Sequence, residues 1–313
     1  MVTTENTTVP KVDISELSAD TFSEVYQKSG QPVIITGLLN EDAHWNLDDL
    51  TQTLGNQTFL FRRYGKKRYE KEGQQWQSIG SGVPVEEMSF QEYAKLINNG
   101  QAQSEDIYLA KAPLKGTPLT KTQSLQALGN QLNLKPVTDY RMYMGHGGHT
   151  ASLHYDILDG TLCQNYGSKQ VILFPPEATP YIYPFPIWIH LKHGLKLRAC
   201  YSQIVDIKNV NLQKFPQFQK AQEFQKTVIL KAGEVLYIPV GWWHEITTLE
   251  EEKISCSVSR FWQVYPRPKN YLCWQRWRLI FGNLLALPKV SQPLFTALFQ
   301  GDLAKVKQII YKI

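Results

Sequence analysis

The chain of 313 residues is long enough to bury one large core. Its 42% hydrophobic and 19% charged residues are those of a soluble globular protein, which excludes a low-complexity or disordered polymer, and no uninterrupted apolar run reaches membrane-spanning length. A formal net charge of +5 fits an acidic or nucleic-acid partner without demanding one, and an ordinary solvated surface accounts for it.

Residues 1–10 are polar and are expected to be disordered. A short helix opens at Ser18, with Phe22, Val25 and Tyr26 on one face, and residues 31–37 form a buried strand ending at Gly37. A helix over 46–54 and a strand over 58–64 follow. Arg62, Arg63, Lys66, Lys67 and Arg68 then make the densest basic cluster, which reads first as a solvated hairpin tip. The alternative is a contact surface for phosphate or an acidic peptide. A helix over 88–97, a strand over 106–110 and a helix-and-loop stretch over 114–134 lead to a strand over 140–144. Gly145, Gly147 and Gly148 turn the chain into the next strand.

That strand carries His154 and Asp156. Two residues apart on a strand, they face the same side. The run Lys169 to Phe174 reads as a buried strand stopped by Pro175 and Pro176. Residues 180–200 are a long aromatic insertion of a length that is often functional; its His190 and His193 lack a third ligand and are read as surface or loop packing. A later strand delivers His244 behind Trp242 and Trp243; these and Trp262 are read as packing side chains. Beyond Trp262 the pattern is helical from Asn270, broken by Pro288 and Pro293. Leu294, Leu298, Val306, Ile309 and Ile310 share one apolar face on a C-terminal helix. Cys163, Cys200, Cys256 and Cys273 show no CxxC spacing, and the first residues lack a basic-then-apolar leader, so a reducing, cytoplasmic setting is expected.

His154, Asp156 and His244 make a three-point facial ligand set. Such a set leaves one side of an octahedral metal open, which suits a non-heme Fe(II) oxygenase. Lys169, inside an apolar strand, needs an anionic partner because an unpaired buried charge is costly.

Four blocks in order, HYDILDG, SKQVILFPP, KFPQFQKA and AGEVLYIPVGWWHE, resemble the cupin-like branch of the JmjC hydroxylases. That family includes a protein asparaginyl hydroxylase and a wybutosine-forming tRNA hydroxylase. The likeness covers roughly residues 31–262. It implies a mainly β fold with flanking helices, a double-stranded β-helix of jelly-roll, cupin/JmjC type. The division would be a disordered 1–10, an α/β flanking region over 11–135, the catalytic core over 136–265 and a helical segment over 266–313.

The resemblance also implies Fe(II), 2-oxoglutarate and dioxygen, with His154, Asp156 and His244 as iron ligands. It places Lys169, fifteen residues after His154, and Tyr108 on the distal carboxylate of 2-oxoglutarate. The family's Ser or Thr three residues before the first histidine is here Ala151, flanked by Thr150 and Ser152, either of which is expected to substitute. Gly160 replaces an Asn of the named members, and Ser259 stands near where another would be; Gln164 is a further candidate for the cosubstrate. The expected reaction is hydroxylation of a protein or peptide side chain, with an RNA base or a small molecule as the alternative. A homodimer through C-terminal helices is implied by the asparaginyl hydroxylase. A catalytically silent cupin-like binding module is the reading from another class. A metal-dependent cupin isomerase would have no need of Lys169.

Overall fold

The computed structural model describes residues 8–39, 42, 44–65 and 83–312, and the account that follows is of those residues. Their strands are β1 (Lys11–Asp13), β2 (Val33–Thr36), β3 (Thr58–Arg63), β4 (Val85–Ser89), β5 (Ile107–Pro113), β6 (Arg141–Gly145), β7 (Thr150–Tyr155), β8 (Asp159–Tyr166), β9 (Ser168–Phe174), β10 (Lys226–Lys231), β11 (Val235–Ile238), β12 (Trp243–Thr248) and β13 (Ser255–Trp262). Nine of them form one sheet in the order β1-β2-β11-β8-β13-β6-β5-β3-β4, and four form a second in the order β10-β9-β12-β7. The one parallel pairing among them is β1 with β2. Successive strands 7 to 9 and 11 to 13 alternate between the sheets, as a jelly-roll requires, so the expected fold class is the one found.

The sequence accounts for the layering. In β9, Val171 and Leu173 share one face with Lys169, and they pack with Leu230, Leu236 and Trp242 between the sheets. Tyr155, Phe174 and Trp243 belong to a second cluster. The largest cluster lies on the other face of the nine-stranded sheet, where the helices Leu47–Leu54 and Phe90–Asn98 bury Leu50, Leu54, Phe90, Tyr93 and Ile97. Each helix start is held by its own side chains. Asn46 accepts from the Asp49 N–H, and Ser89 with Glu92 makes a reciprocal capping box. Trp242, Trp243 and Trp262 are all buried, as packing side chains should be.

The carboxy-terminal expectation needs correction. The helix Trp274–Phe299 runs through both Pro288 and Pro293. Its buried Leu279, Ala286 and Ala297, together with Gly282 against the His190 ring, hold it despite the N–H groups that proline cannot supply. The chain breaks instead at Gly301, whose φ of 67° is left-handed; the Asp302 N–H bonds to Ala297 O and closes the helix. Leu294 and Leu298 therefore sit on a different helix from Val306 and Ile309, which lie in Leu303–Lys312. No helix among the described residues is long and apolar enough to cross a membrane.

Candidate functional site

A cavity of about 400 Å³ is lined by residues of both sheets. His154 on β7 and His244 on β12 are directly opposite in the strand pairing, with ring centroids 4.3 Å apart. Each ring is oriented by a main-chain carbonyl: Nδ1 of His154 lies 2.8 Å from Ser152 O, and Nδ1 of His244 lies 3.1 Å from Trp242 O. A carbonyl can only accept, so Nδ1 carries the proton in both rings and Nε2 presents a lone pair. Asp156, just past the end of β7, brings Oδ2 to 3.5 Å from His244 Nε2. Donor atoms of the three residues all lie within 4.8 Å of one another. Burial, with His244 next, pushes His154 down to about 4, so its imidazole is neutral at pH 7. Two imidazoles held from behind and one carboxylate fit a divalent first-row metal.

A bulge shapes the wall beside these residues. The β7–β12 register slips between His244 and Ile246, so Glu245 faces both Ser152 and Leu153. Ala151 and His154, three apart, therefore both line the cavity, as does Ser152. Thr150 is not on the wall, and its hydroxyl meets that of Thr247 at 3.0 Å. Ser259 and Gly160 are on the wall. A Cβ at Gly160 would lie 3.4 Å from the Phe261 ring, an ordinary contact, so the position is not closed to a side chain.

Lys169 lines the same cavity and is 2% exposed. Its ammonium donates to the Ser257 hydroxyl and, at 3.5 Å, to the Tyr108 hydroxyl. No carboxylate of the described residues pairs with it. Burial lowers it to about 8 from the ordinary 10.5. Gln164 is fully buried behind the wall rather than on it. It accepts from Ser257 Oγ at 2.8 Å, so it supports Lys169 through that serine.

Tyr108 is seated on two sides. Its ring stacks on His149 at 3.6 Å, and a Cβ at Gly145 would come within 2.2 Å of it, so only glycine leaves the ring room. His149 Nδ1 lies 2.6 Å from Asp106 Oδ1, which also meets His146 Nε2 at 3.1 Å. Asp106, His146 and His149 are a second histidine–carboxylate group, fully buried and bonded among themselves.

Several wall residues were not legible as such in the sequence. Arg62, expected at a solvated hairpin tip, is 1% exposed and lines the cavity from β3. Arg63 pairs with Glu86 at 2.7 Å and also with Glu105, while Lys66, Lys67 and Arg68 lie outside the described residues. Alternation along a strand assigns Arg62 to the inner face, and that was the signal available. Lys111 and Arg198 complete four cationic side chains on the wall, against one carboxylate, Asp156. Burial, then Arg198 and Arg62, lower Lys111 to about 8.

The long insertion returns at Cys200 to Ser202 to bond the free edge of β7: Tyr155 N–H reaches Cys200 O at 3.2 Å and Ser202 N–H reaches Leu153 O at 3.0 Å. This lays Tyr201 against the His154 ring, centroids 5.1 Å apart. His190 is buried in the insertion, where its Nε2 accepts from the Ala199 N–H at 3.0 Å, which fits loop packing.

Residues 18–267 match the family model of the cupin-like domain. Among curated proteins, a lysine-specific demethylase of Arabidopsis thaliana is 26% identical over 63% of this chain and 34% of its own length. The human tRNA wybutosine-synthesizing protein 5 is 34% identical over 36% of this chain and 30% of its own length. A second lysine-specific demethylase of Arabidopsis thaliana is 28% identical over 79% of this chain and 53% of its own length. The chain thus spans about a third to a half of the length of these relatives.

Proposed function

The chain belongs to the cupin-like domain family, and from that premise we propose that it is an Fe(II)- and 2-oxoglutarate-dependent oxygenase that hydroxylates a side chain of a protein or peptide. One observation carries the reading: a single cavity holds two back-braced imidazoles with a carboxylate and, elsewhere on its wall, a buried ammonium bonded only to hydroxyls. His154, Asp156 and His244 would hold the iron. Lys169 and Tyr108 receive the distal carboxylate of 2-oxoglutarate, and the Ser152 and Ser259 hydroxyls face the same cavity. Bound there, iron with 2-oxoglutarate and dioxygen supplies the oxidant for a C–H bond, with succinate and carbon dioxide as co-products. Tyr201 stacks on His154 and walls the site against water. A silent binding module has no use for a desolvated lysine without a carboxylate partner.

A peptide is favoured over RNA because two of the five residues in the basic cluster are engaged within the fold: Arg62 faces the cavity and Arg63 is tied to Glu86 and Glu105. Lysine demethylation, the activity named for two relatives, suits this cavity poorly, since Arg62, Lys111 and Arg198 repel a lysine cation. The test is succinate formation from 2-oxoglutarate and Fe(II) with peptide pools and with RNA oligomers. Peptides should stimulate it, and RNA should bind weakly at about 0.15 M salt. RNA-dependent succinate formation, with a log–log salt slope near −0.7 per contacted phosphate and loss on neutralising Lys66, Lys67 and Arg68, would reverse the assignment.

The assembly expected is a homodimer through the carboxy-terminal helices. Trp277, Phe281, Leu284 and Leu298 are 39–56% exposed along Trp274–Phe299, an apolar surface unusual for a monomer. Light scattering should give twice the chain mass at micromolar concentration, and Leu284→Glu should lower it; a monomeric mass throughout refutes the dimer.

A further inference from the structure

Lys111 occupies a position that strand geometry would otherwise deny it. In β5, Leu109 is opposite Met144 and Ala112 is opposite Met142, so Ala110 and Lys111 together face Tyr143 alone. Regular alternation would send Lys111 to the side of Leu109, which is buried in the apolar cluster on the other face of the sheet. The bulge and a left-handed backbone at Lys111, φ 60°, turn the side chain onto the cavity wall with Tyr108 and Ala110. Residues with a Cβ avoid that region of φ, and Lys lacks the short polar side chain that makes it tolerable for Asn or Asp. A strained backbone whose visible consequence is to aim one ammonium into the site is the kind of outlier that points to function.

Arg198 reaches the same wall from the insertion, and Lys111 acts electrostatically with Arg198, with Asp156 and on His154, whereas Lys169 does not share in that group. The cavity therefore has two cationic places, one at Lys169 and one beside the proposed metal ligands.

We propose that Lys111 and Arg198 form a substrate-recognition site for a compact oxyanion, a carboxylate or phosphate, carried next to the C–H bond that is oxidised. This rests on the oxygenase reading for the placing of the reacting bond, but the anion preference itself does not depend on it. The oxyanion comes from an acidic or phosphorylated residue of a peptide or from a free small acid. An RNA backbone is disfavoured because these cations lie on an interior wall rather than along an exposed strip.

The experiment titrates the full chain, loaded anaerobically with Mn(II) and saturating 2-oxoglutarate, with matched probes. The pentapeptides Gly-Gly-Glu-Gly-Gly and Gly-Gly-phosphoSer-Gly-Gly are set against their Gln and Ser counterparts, and glutarate is set against glutaramide. Acid probes should bind roughly 10- to 100-fold tighter than their neutral counterparts, as charge-assisted hydrogen bonds do. Which acid binds better identifies the source. Lys111→Gly should erase the preference while keeping a melting temperature at or above that of the parent, because glycine accepts the left-handed backbone; Arg198→Met should weaken the preference.

Repeating the titration without Mn(II) and 2-oxoglutarate separates the two readings. If neither loads, the oxygenase assignment fails, while the acid–neutral difference and its loss in Lys111→Gly are still read. Equal binding of acid and neutral probes overturns the proposal. So does an acid preference that survives in Lys111→Gly, Mn(II) affinity being the only property lost there, or Lys111-dependent binding confined to an RNA oligomer.

Discussion

Replacing His244 with alanine is expected to abolish Fe(II) binding and, with it, all conversion of 2-oxoglutarate to succinate. His244 faces His154 across the strand pair and is 4% exposed, so no other histidine can take its place without rebuilding β12. Its Nδ1 is committed to Trp242 O, which leaves Nε2 as the one lone pair it offers. His154 and Asp156 alone cannot hold a labile divalent ion firmly, and His154→Ala should behave in the same way. A readout independent of turnover is available. Mn(II) at a hundred times its Kd should stabilise the parent protein against unfolding by about 2.7 kcal/mol and the His244→Ala variant by nothing measurable. The metal assignment is lost if either alanine variant keeps parental succinate formation.

The second large effect belongs to Lys169. Lys169→Ala is expected to raise the KM for 2-oxoglutarate roughly 10- to 100-fold, since a charge-assisted pair in a dry site contributes about 1.5–3 kcal/mol. An unchanged KM would remove Lys169 from the cosubstrate site. The same residue predicts a pH dependence. Burial holds its folded-state value near 8 against 10.5 ordinarily, so between those values the unfolded chain binds the proton and the folded chain does not. Stability without cosubstrate should therefore rise with pH from about 8 to 10.5, by an amount on the order of 3 kcal/mol, and this rise should be absent in Lys169→Met. A dicarboxylate arriving at the ammonium favours its charged form. Binding of 2-oxoglutarate near pH 8.5 should then take up a proton, and calorimetry in buffers of different ionisation enthalpy measures it.

What was readable beforehand follows a physical division. His154, Asp156, Lys169 and His244 stand in short blocks whose order along the chain matches the strand order of one fold, and period-two geometry assigns each of them a face. Tyr108, Ser152 and Ser259 followed from the same family layout and do line the cavity. Thr150 and Gln164, expected beside them, do not reach it. The neighbour of a site residue faces the opposite way unless a bulge intervenes, and the bulge opposite Glu245 brought Ala151 inward and left Thr150 outside. By local propensity Pro288 and Pro293 break a helix, and the packing of Trp274–Phe299 overrides that propensity.

By itself, then, the sequence determined the single strands and the strand-borne histidines and buried lysine with the aspartate beside them, because hydrophobic periodicity and residue type are local properties of the chain; the layered β architecture came with the resemblance of four ordered blocks to a known family. The tertiary structure alone decided which cations share a wall. Arg62 arrives from β3, Lys111 through a bulge and a left-handed residue in β5, and Arg198 from an insertion folded back on β7. Their convergence depends on strand register, on one extra residue in a ladder and on an edge left free for a loop to cover. Those features arise from pairings between segments far apart in the chain, and no window of sequence contains them.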